Sequence, residues 1–444
     1  MASGERCTRK LGSMLGKKTL ETYFDRLWPV HRSITGAGFE ESLGILSELI
    51  PLKKHYWKSG ERVHDWVIPD EWNLTSGVIY NTETGEDILS TEDSWLHVVG
   101  YSVATRGMLP WHQLREHVHT LPELPDAVPY ITHYYGPPQW GYCMSHRQYL
   151  EMDKSPDTKY CYEIQATLAP GYLIAGSLLI PGALSGDEIM LSTYLCHPTA
   201  NDGLSGALVL AGVYQKLKDM NLKHTLRFYV GPENIGAAAY LARFGLHGVV
   251  AGLVLTCLGY GTPFTYKRSR RGDSLIDRAA THVLSKYAFV DYKDFFPDGS
   301  DERQFCSPGY NLPIGVLMRH GYWGYKEYHT SLDNKNLINF DTILESIDTV
   351  VDIVLAVDEG SRKYTSTVQY GTPMFSRRGD DKLYESTMRL NSFYRGEGHR
   401  RAMLNMINWS DGEHDLLYIA EKCECQVADL LPLVDILLKK GYIT

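Results

Sequence analysis

The feature of this sequence that most limits its fold is a long stretch, residues 173–360, in which short apolar runs alternate with amphipathic helical runs. This alternation is typical of strands joined by crossover helices, because the helices then cover both faces of a parallel sheet. The sequence therefore predicts an α/β core built on a mostly parallel, mixed sheet flanked by helices.

The segments around this core predict three further units. Residues 18–54 carry apolar residues at helical spacing and predict N-terminal helices of the core domain. Residues 55–162 are rich in Trp, Tyr, Pro and Gly with short apolar runs, which favours an inserted, mainly β domain. The core itself is assigned to residues 163–360, a polar irregular stretch follows at 361–400, and residues 370–444 are assigned to a winged-helix-like C-terminal module.

Charge and cysteine usage exclude several classes of partner. The formal net charge of −9 argues against nucleic acid, since phosphate binding needs concentrated Lys and Arg. No apolar run of membrane-spanning length occurs, the first residues lack a secretory signal, and the eight cysteines are scattered as in a reduced cytosolic chain. We expect a cytoplasmic protein that binds a small-molecule or peptide substrate and neither nucleic acid nor membrane; a homo-oligomer stays open.

Polar residues follow three of the predicted core strands at the point where each strand ends. His197 and Asp202 follow the first, Glu233 the second, and His329 the last. Ligands of open α/β sheets bind beyond the carboxyl ends of the strands, so we expect these side chains on one rim. Two His and one carboxylate leave one position on zinc for water, and a nearby Glu can accept the proton of that water. The residues therefore predict metal-assisted amide hydrolysis.

Each candidate has an alternative interpretation. Asp202 could cap the helix that follows it, and Glu233 could stabilise a helix N-terminus through the macrodipole. Asp301, Glu302 and Arg303 form a charged run that could be a surface salt-bridge cluster, or could bind a substrate ammonium group or stabilise a tetrahedral intermediate.

These motifs resemble those of the zinc aminopeptidases, whose clan also contains the glutaminyl-peptide cyclases. The resemblance implies that His197 is the first metal ligand, that Asp202 is the metal-bridging Asp and that Glu233 is the catalytic Glu. His329 with the following Thr, and Asp333, look like the closing His-Thr-x-x-Asp motif. Residues 299–301 resemble the family's Ser-Asp-His segment, with Glu302 in place of its His.

More closely, the chain resembles a bacterial aminopeptidase-like subfamily from polysaccharide and natural-product biosynthesis clusters, with the inserted β domain and a winged-helix tail. The stretches that carry this match are residues 66–72, 129–130, 140–143, 196–198, 300–304 and 327–333. Two departures from two-metal relatives matter, because Asn234 stands where a second Glu ligand is expected and Cys257 where an Asp ligand is expected. The resemblance then implies one zinc ion per chain held by His197, Asp202 and His329. Cys257 or Glu233 joining a second ion is the alternative.

The predicted function is that of a zinc-dependent hydrolase that cleaves an amide or peptide bond, with Glu233 as general base and with Asp301, Glu302, Arg303 and Cys257 as substrate-binding residues. Its substrate would be a natural-product or polysaccharide biosynthetic intermediate. Two alternatives stay open: a catalytically silent binding or scaffold protein on the same fold, and a zinc-dependent cyclase or acyl-transfer enzyme. The C-terminal module lacks a basic recognition helix, which favours protein contact or dimerisation over DNA binding.

Overall fold

The centre of the chain is an eight-stranded mixed sheet. The computed structural model describes residues 15–184, 186–322, 324–375 and 397–444. In spatial order the strands are β1 (Lys53–Lys58), β10 (Tyr172–Ile180), β12 (Thr225–Gly231), β11 (Glu188–Tyr194), β13 (Val249–Leu255), β16 (Ile314–Arg319), β14 (Phe264–Lys267) and β15 (Val290–Lys293). The four central strands run parallel to one another, while β10 and β14 pair antiparallel with them on either side.

Helices cover the sheet, and its central strands are buried along nearly their whole length. Every residue of β16 is buried, as are all residues of β11 except the first, which is the pattern of strands covered on both faces. The helices of this domain are α1 (Lys17–Leu27), α2 (Ala37–Ser47), α5 (Gly206–Leu217), α6 (Ile235–Phe244), α7 (Leu275–Leu284), the single-turn α8 (Glu302–Phe305) and α9 (Phe340–Gly360). The predicted fold class, a mixed α/β sheet flanked by helices, is confirmed.

A second, smaller sheet lies in the segment between β1 and β10. Its four antiparallel strands, in spatial order, are β5 (Asp87–Ser90), β4 (Glu71–Asn81), β9 (Lys159–Ala169) and β6 (Thr105–Pro110). Shorter elements complete it: β2 (Arg62–Val63), β3 (Trp66–Val67), α3 (Trp111–Leu114), β7 (Val118–His119), β8 (Tyr142–Cys143) and α4 (His146–Asp153). The predicted boundary at 55 falls inside β1, which pairs with β10 in the large sheet, and the predicted boundary at 162 falls inside β9, which pairs with β4 and β6 in the small one.

The C-terminal module packs against the core domain. Its elements are β17 (Lys363–Thr365), α10 (Glu397–Trp409), β18 (Asp411–Asp415), α11 (Leu416–Cys423) and α12 (Val427–Lys439). Arg278 of α7 donates two hydrogen bonds of 2.8 Å to Asp415, and the backbone N–H of Val427 donates to His282 Nε2 at 3.1 Å. Part of the predicted irregular stretch, residues 376–396, lies outside the described residues.

Two further observations concern the chain as a whole. Among the residues that the structure describes, none of the helices has both the length and the apolar character that crossing a bilayer requires. The seven cysteines in these ranges are all free thiols.

Candidate metal centre

The loop after β11 brings a His and an Asp back to the same point. Residues 200–205 form a π-helical turn in which Asp202 departs from helical geometry, with φ −85° and ψ 35°. The turn is possible because two glycines allow close backbone contacts: a Cβ on Gly203 would lie 2.6 Å from the His197 carbonyl oxygen, and one on Gly206 2.3 Å from that of Leu255. The carboxylate of Asp202 is thereby turned towards His197.

Three predicted ligands meet around one carboxylate oxygen. Asp202 Oδ2 lies 3.1 Å from His197 Nδ1 and 3.0 Å from His329 Nε2. One ligand atom from each of the three residues can be chosen so that all lie within 4.8 Å of one another. The structure therefore brings together residues that are widely separated along the chain, as the strand-end argument requires.

The spacing of these atoms fits a bound metal ion. Zinc bonds to nitrogen and oxygen are about 2.0–2.1 Å long, so neighbouring ligand atoms in a tetrahedron are about 3.3 Å apart. The separation of 3.0 Å between His329 Nε2 and Asp202 Oδ2 is close to that value, and one ligand atom of His197 lies within 4.8 Å of a ligand atom of each of these residues. His197 and Asp202 are buried, whereas the His329 side chain is 31% exposed. The donor set is thus that of an open site, accessible on the His329 side.

The inserted domain contributes to the placement of His329. This residue has a positive φ of 54°, and its carbonyl oxygen accepts a hydrogen bond of 2.8 Å from the backbone N–H of Tyr130. The ring of Tyr130 lies edge-on to both imidazoles, with centroids 5.3 Å from His197 and 5.4 Å from His329. On the other side, Tyr328 stacks on His329 at 4.0 Å. The loop that carries the candidate ligand His329 is therefore supported by two aromatic side chains, one from each domain.

The second oxygen of Asp202 is held by protein groups. Asp202 Oδ1 accepts a hydrogen bond of 2.5 Å from the Tyr194 hydroxyl, whose oxygen is 2.5 Å from Thr256 Oγ1. The Cys257 thiol donates to the same oxygen at 3.7 Å. Burial, and then the charge of Asp202, hold the pKa of Cys257 well above its usual range, so this sulfur stays a neutral thiol. These contacts leave Oδ2 as the oxygen that faces the imidazoles, and they rule out a helix cap for Asp202.

The buried carboxyl group of Asp333 holds the backbone of the turn at residues 200–205. Asp333 accepts backbone N–H groups of Asn201 at 2.6 Å and of Asp202 at 3.1 Å, and the Tyr325 hydroxyl at 3.1 Å. Burial raises the pKa of Asp333 to about 7. Asp333 thus fixes the backbone at Asp202, and with it the position of the Asp202 side chain.

Glu233 lies beside the candidate ligands. It follows β12 directly, and its Oε2 is 3.4 Å from His197 Nε2. Its side chain is 18% exposed, so it borders the open side of the site. The Glu233 carboxylate therefore faces His197, and its role as a general base stays a prediction.

The remaining candidates lie behind Glu233. Asp301 and Glu302 are fully buried, so the surface-cluster interpretation is wrong. The sequence does not show this burial, because the partner that forms an ion pair with Glu302 is Lys267, on the distant strand β14. Burial, followed by the charge of Glu233, raises the pKa of Asp301 well above its usual range. Arg303 is half-buried and donates from Nε to the Asn234 side-chain oxygen at 2.6 Å.

Three contributors were missed by sequence reasoning alone. Tyr194 lies within an apolar strand and reads as core, and Tyr130 belongs to the insert, where no spacing signal ties it to the core. Arg32 is also buried, and its guanidinium donates to the His197 carbonyl oxygen at 3.1 and 3.3 Å. An isolated Arg in the segment of the predicted N-terminal helices gives no sign of such a role.

Comparison with known families supports the same architecture. The family described as "Domain of unknown function (DUF4910)" matches residues 22–360, which is more than half of the chain. The chain belongs to the DUF4910 family. A winged helix-turn-helix family matches residues 362–444. A Clostridium acetobutylicum protein named "Putative polysaccharide biosynthesis protein with aminopeptidase-like domain" is 36% identical over 404 residues, covering 90% of this chain and 89% of the relative.

Solved structures place this DUF4910 protein among aminopeptidase-like folds. The crystal structure of a "putative peptidase" from Clostridium acetobutylicum is similar with a TM-score of 0.86 and 33% identity, and the match covers 96% of each chain. BSAP, a zinc aminopeptidase from Bacillus subtilis, is similar with a TM-score of 0.56 and 14% identity, over 78% of this chain and 95% of that one. At 14% identity, the similarity to BSAP shows the fold alone.

Proposed function

We propose that this DUF4910 protein is a zinc-dependent hydrolase of amide or peptide bonds that uses one zinc ion per chain. The observation that carries the proposal is the meeting of His197, Asp202 and His329 donor atoms within 4.8 Å, with the Glu233 carboxylate 3.4 Å from His197. The C. acetobutylicum relative is named for polysaccharide biosynthesis, which favours an acylated sugar or a related biosynthetic intermediate as the substrate.

The roles of the residues follow from their positions. Zinc, when bound, supplies Lewis acidity that polarises a carbonyl group and makes water more acidic. Glu233 accepts one proton from water as the water oxygen bonds to the carbonyl carbon, and it donates that proton to the nitrogen as the C–N bond breaks. Asp202 lies with Oδ2 between the two imidazoles, where it would join them in holding the ion, while Tyr194 fixes its other oxygen.

The use of a single ion is supported by what stands at the positions of second-metal ligands. Asn234 directs its side-chain oxygen to Arg303, and the Cys257 sulfur is directed to Asp202 Oδ1. These same departures favour the rival proposal of a catalytically silent scaffold on the aminopeptidase fold. The two functions are separated by the role of Glu233, which a scaffold does not need.

The test is a matched pair of substitutions. Glu233→Gln should retain about one zinc per chain, because Glu233 is not one of the three clustered ligands, and should lower turnover by about 10²–10⁴-fold, the range for loss of a general base. Glu86→Gln, at an exposed position of the insert, is the control. Zinc is measured by mass spectrometry after purification without chelators, and turnover on a library of peptides and acyl-sugar amides.

Three results would contradict the hydrolase. They are a chain without zinc, a Glu233→Gln variant as active as the control, and a product that has lost ammonia instead of gaining water. The last result would indicate the cyclase alternative.

A further inference from the structure

The backbone immediately after Glu233 has an unusual conformation. Asn234 has φ 60° and ψ −67°, and the Ile235 N–H donates to the Glu233 carbonyl oxygen at 2.7 Å. A hydrogen bond across three residues with a positive φ at the centre defines the rarer, strained kind of γ-turn. This turn separates the end of β12 from helix α6, and Glu233 is its first residue.

Two side chains from the 301–303 segment bond to the residue at the centre of this turn, Asn234. Asp301 Oδ1 accepts the backbone N–H of Asn234 at 2.6 Å, and Arg303 Nε donates to the Asn234 side-chain oxygen at 2.6 Å. Gln304 adds a longer contact of 3.4 Å to the same oxygen. Both the main chain and the side chain of Asn234 are therefore fixed by one short segment around α8.

The cost of this arrangement points to a functional purpose. Asp301 is fully buried, and its second oxygen has no hydrogen-bond partner among the described residues. Burying a carboxyl group whose Oδ1 binds a single backbone N–H is unfavourable for folding alone. Strained backbone of this kind persists only where its surroundings over-determine it, and it occurs preferentially at active sites.

We propose that Asp301 and Arg303 are positioning residues that clamp the γ-turn at Asn234 and thereby aim the Glu233 carboxylate at His197. The inference rests on the proposed function, since the aim of Glu233 matters only if Glu233 acts there. It also gives Asn234 a role of its own: Asn tolerates a positive φ better than most residues, and its amide oxygen is the acceptor for Arg303.

The experiment compares two substitutions of one residue. In Asp301→Asn the amide oxygen can still accept from the Asn234 N–H, so we expect kcat within about threefold of wild type. In Asp301→Ala the acceptor is gone, and we expect kcat to fall by about 10²-fold, the loss associated with a misplacement of about 1 Å, while KM and zinc content stay unchanged. Arg303→Met, compared with the exposed control Arg270→Met, provides a second test if Asp301→Ala does not fold.

Crystal structures of the same variants give a readout that does not depend on turnover. In Asp301→Ala, and in Arg303→Met if Asp301→Ala does not fold, we expect residue 234 to leave the positive-φ region and the Glu233–His197 separation to exceed 3.4 Å. In Asp301→Asn both should be unchanged. If no substrate is ever found, this geometry still tests the clamp, so the failure of the hydrolase proposal and the failure of the clamp remain distinguishable.

Two outcomes would overturn the proposal. One is an Asp301→Ala or Arg303→Met variant that keeps both the turn and the kcat of its control. The other is an Asp301→Asn variant that keeps the turn but loses kcat, because the charge of Asp301 and not its acceptor would then be what matters.

Discussion

Replacing Tyr194 by Phe tests whether the hydroxyl on Asp202 Oδ1 prepares the carboxylate for a metal. The Tyr194 hydroxyl is 2.5 Å from this oxygen, while the Cys257 thiol is 3.7 Å away and donates weakly. The substitution therefore removes nearly all of the hydrogen bonding to Oδ1 and changes nothing at Oδ2.

The expected magnitude follows from that loss. Partners that orient a metal ligand are worth about 10–100-fold in metal affinity, which corresponds to about 1.4–2.8 kcal/mol. The metal-free protein should also lose about 1–3 kcal/mol of unfolding free energy, because a buried carboxylate loses its main donor. Both effects come from the same atom, so they should appear together.

Tyr229 offers a matched control on the neighbouring strand. It is also fully buried, but its hydroxyl has no hydrogen-bond partner among the described residues, so Tyr229→Phe should leave zinc affinity unchanged and stability equal or slightly higher. Zinc affinity is measured by competition with a chromophoric chelator, and stability by urea denaturation of the metal-free protein. A Tyr194→Phe variant that binds zinc within about twofold of wild type, or a Tyr229→Phe variant that weakens it equally, would refute the reasoning.

Two other predictions concern the framework. Asp415→Asn should lower the unfolding free energy by about 1–2 kcal/mol in urea denaturation. Burial alone would raise the pKa of Asp415, but the hydrogen bonds from Arg278 and from the Tyr418 N–H, together with the charges of Arg278 and Lys363, outweigh it and the pKa is lowered. The wild-type advantage should therefore be present at neutral pH and disappear as pH falls below about 4; an advantage that persists in acid would contradict this. Gly206→Ala should cost about 1–3 kcal/mol or more, because its Cβ would meet the backbone of β13. Gly44→Ala, in a helix with open space around it, should instead stabilise by about 0.5–1 kcal/mol; equal effects of the two substitutions would show that contact with the strand is not the cause.

The core and its rim could be predicted because strand-length apolar runs are followed by polar residues at their ends. β13, for example, coincides with the continuous apolar run Val249–Leu255 of the sequence. The edge strand β15 could not be predicted in the same way, because its sequence Val-Asp-Tyr-Lys is half polar and only its pairing with β14 makes it a strand.

The candidate site could be predicted only where polar residues stand out in the local sequence. The candidate ligand residues stand out at strand ends, whereas Tyr194 is one aromatic residue at the end of a buried strand, and nothing in the sequence indicates a role for its hydroxyl. Burial of Asp301 and Glu302 was also out of reach, because the cation opposite Glu302, Lys267, comes from another strand. Long-range pairing of this kind is a property of the folded chain.

The hydrogen bond between Tyr130 and the His329 carbonyl oxygen has an implication for how this architecture can change. The insert cannot be removed without changing the site, since its residue Tyr130 bonds to the His329 backbone and contacts both imidazole rings. A change in the insert that shifts Tyr130 would move the candidate ligand His329 at the same time. A change of substrate would therefore have to alter the outer loops of the small sheet and leave residues 128–131, which contain Tyr130, unchanged.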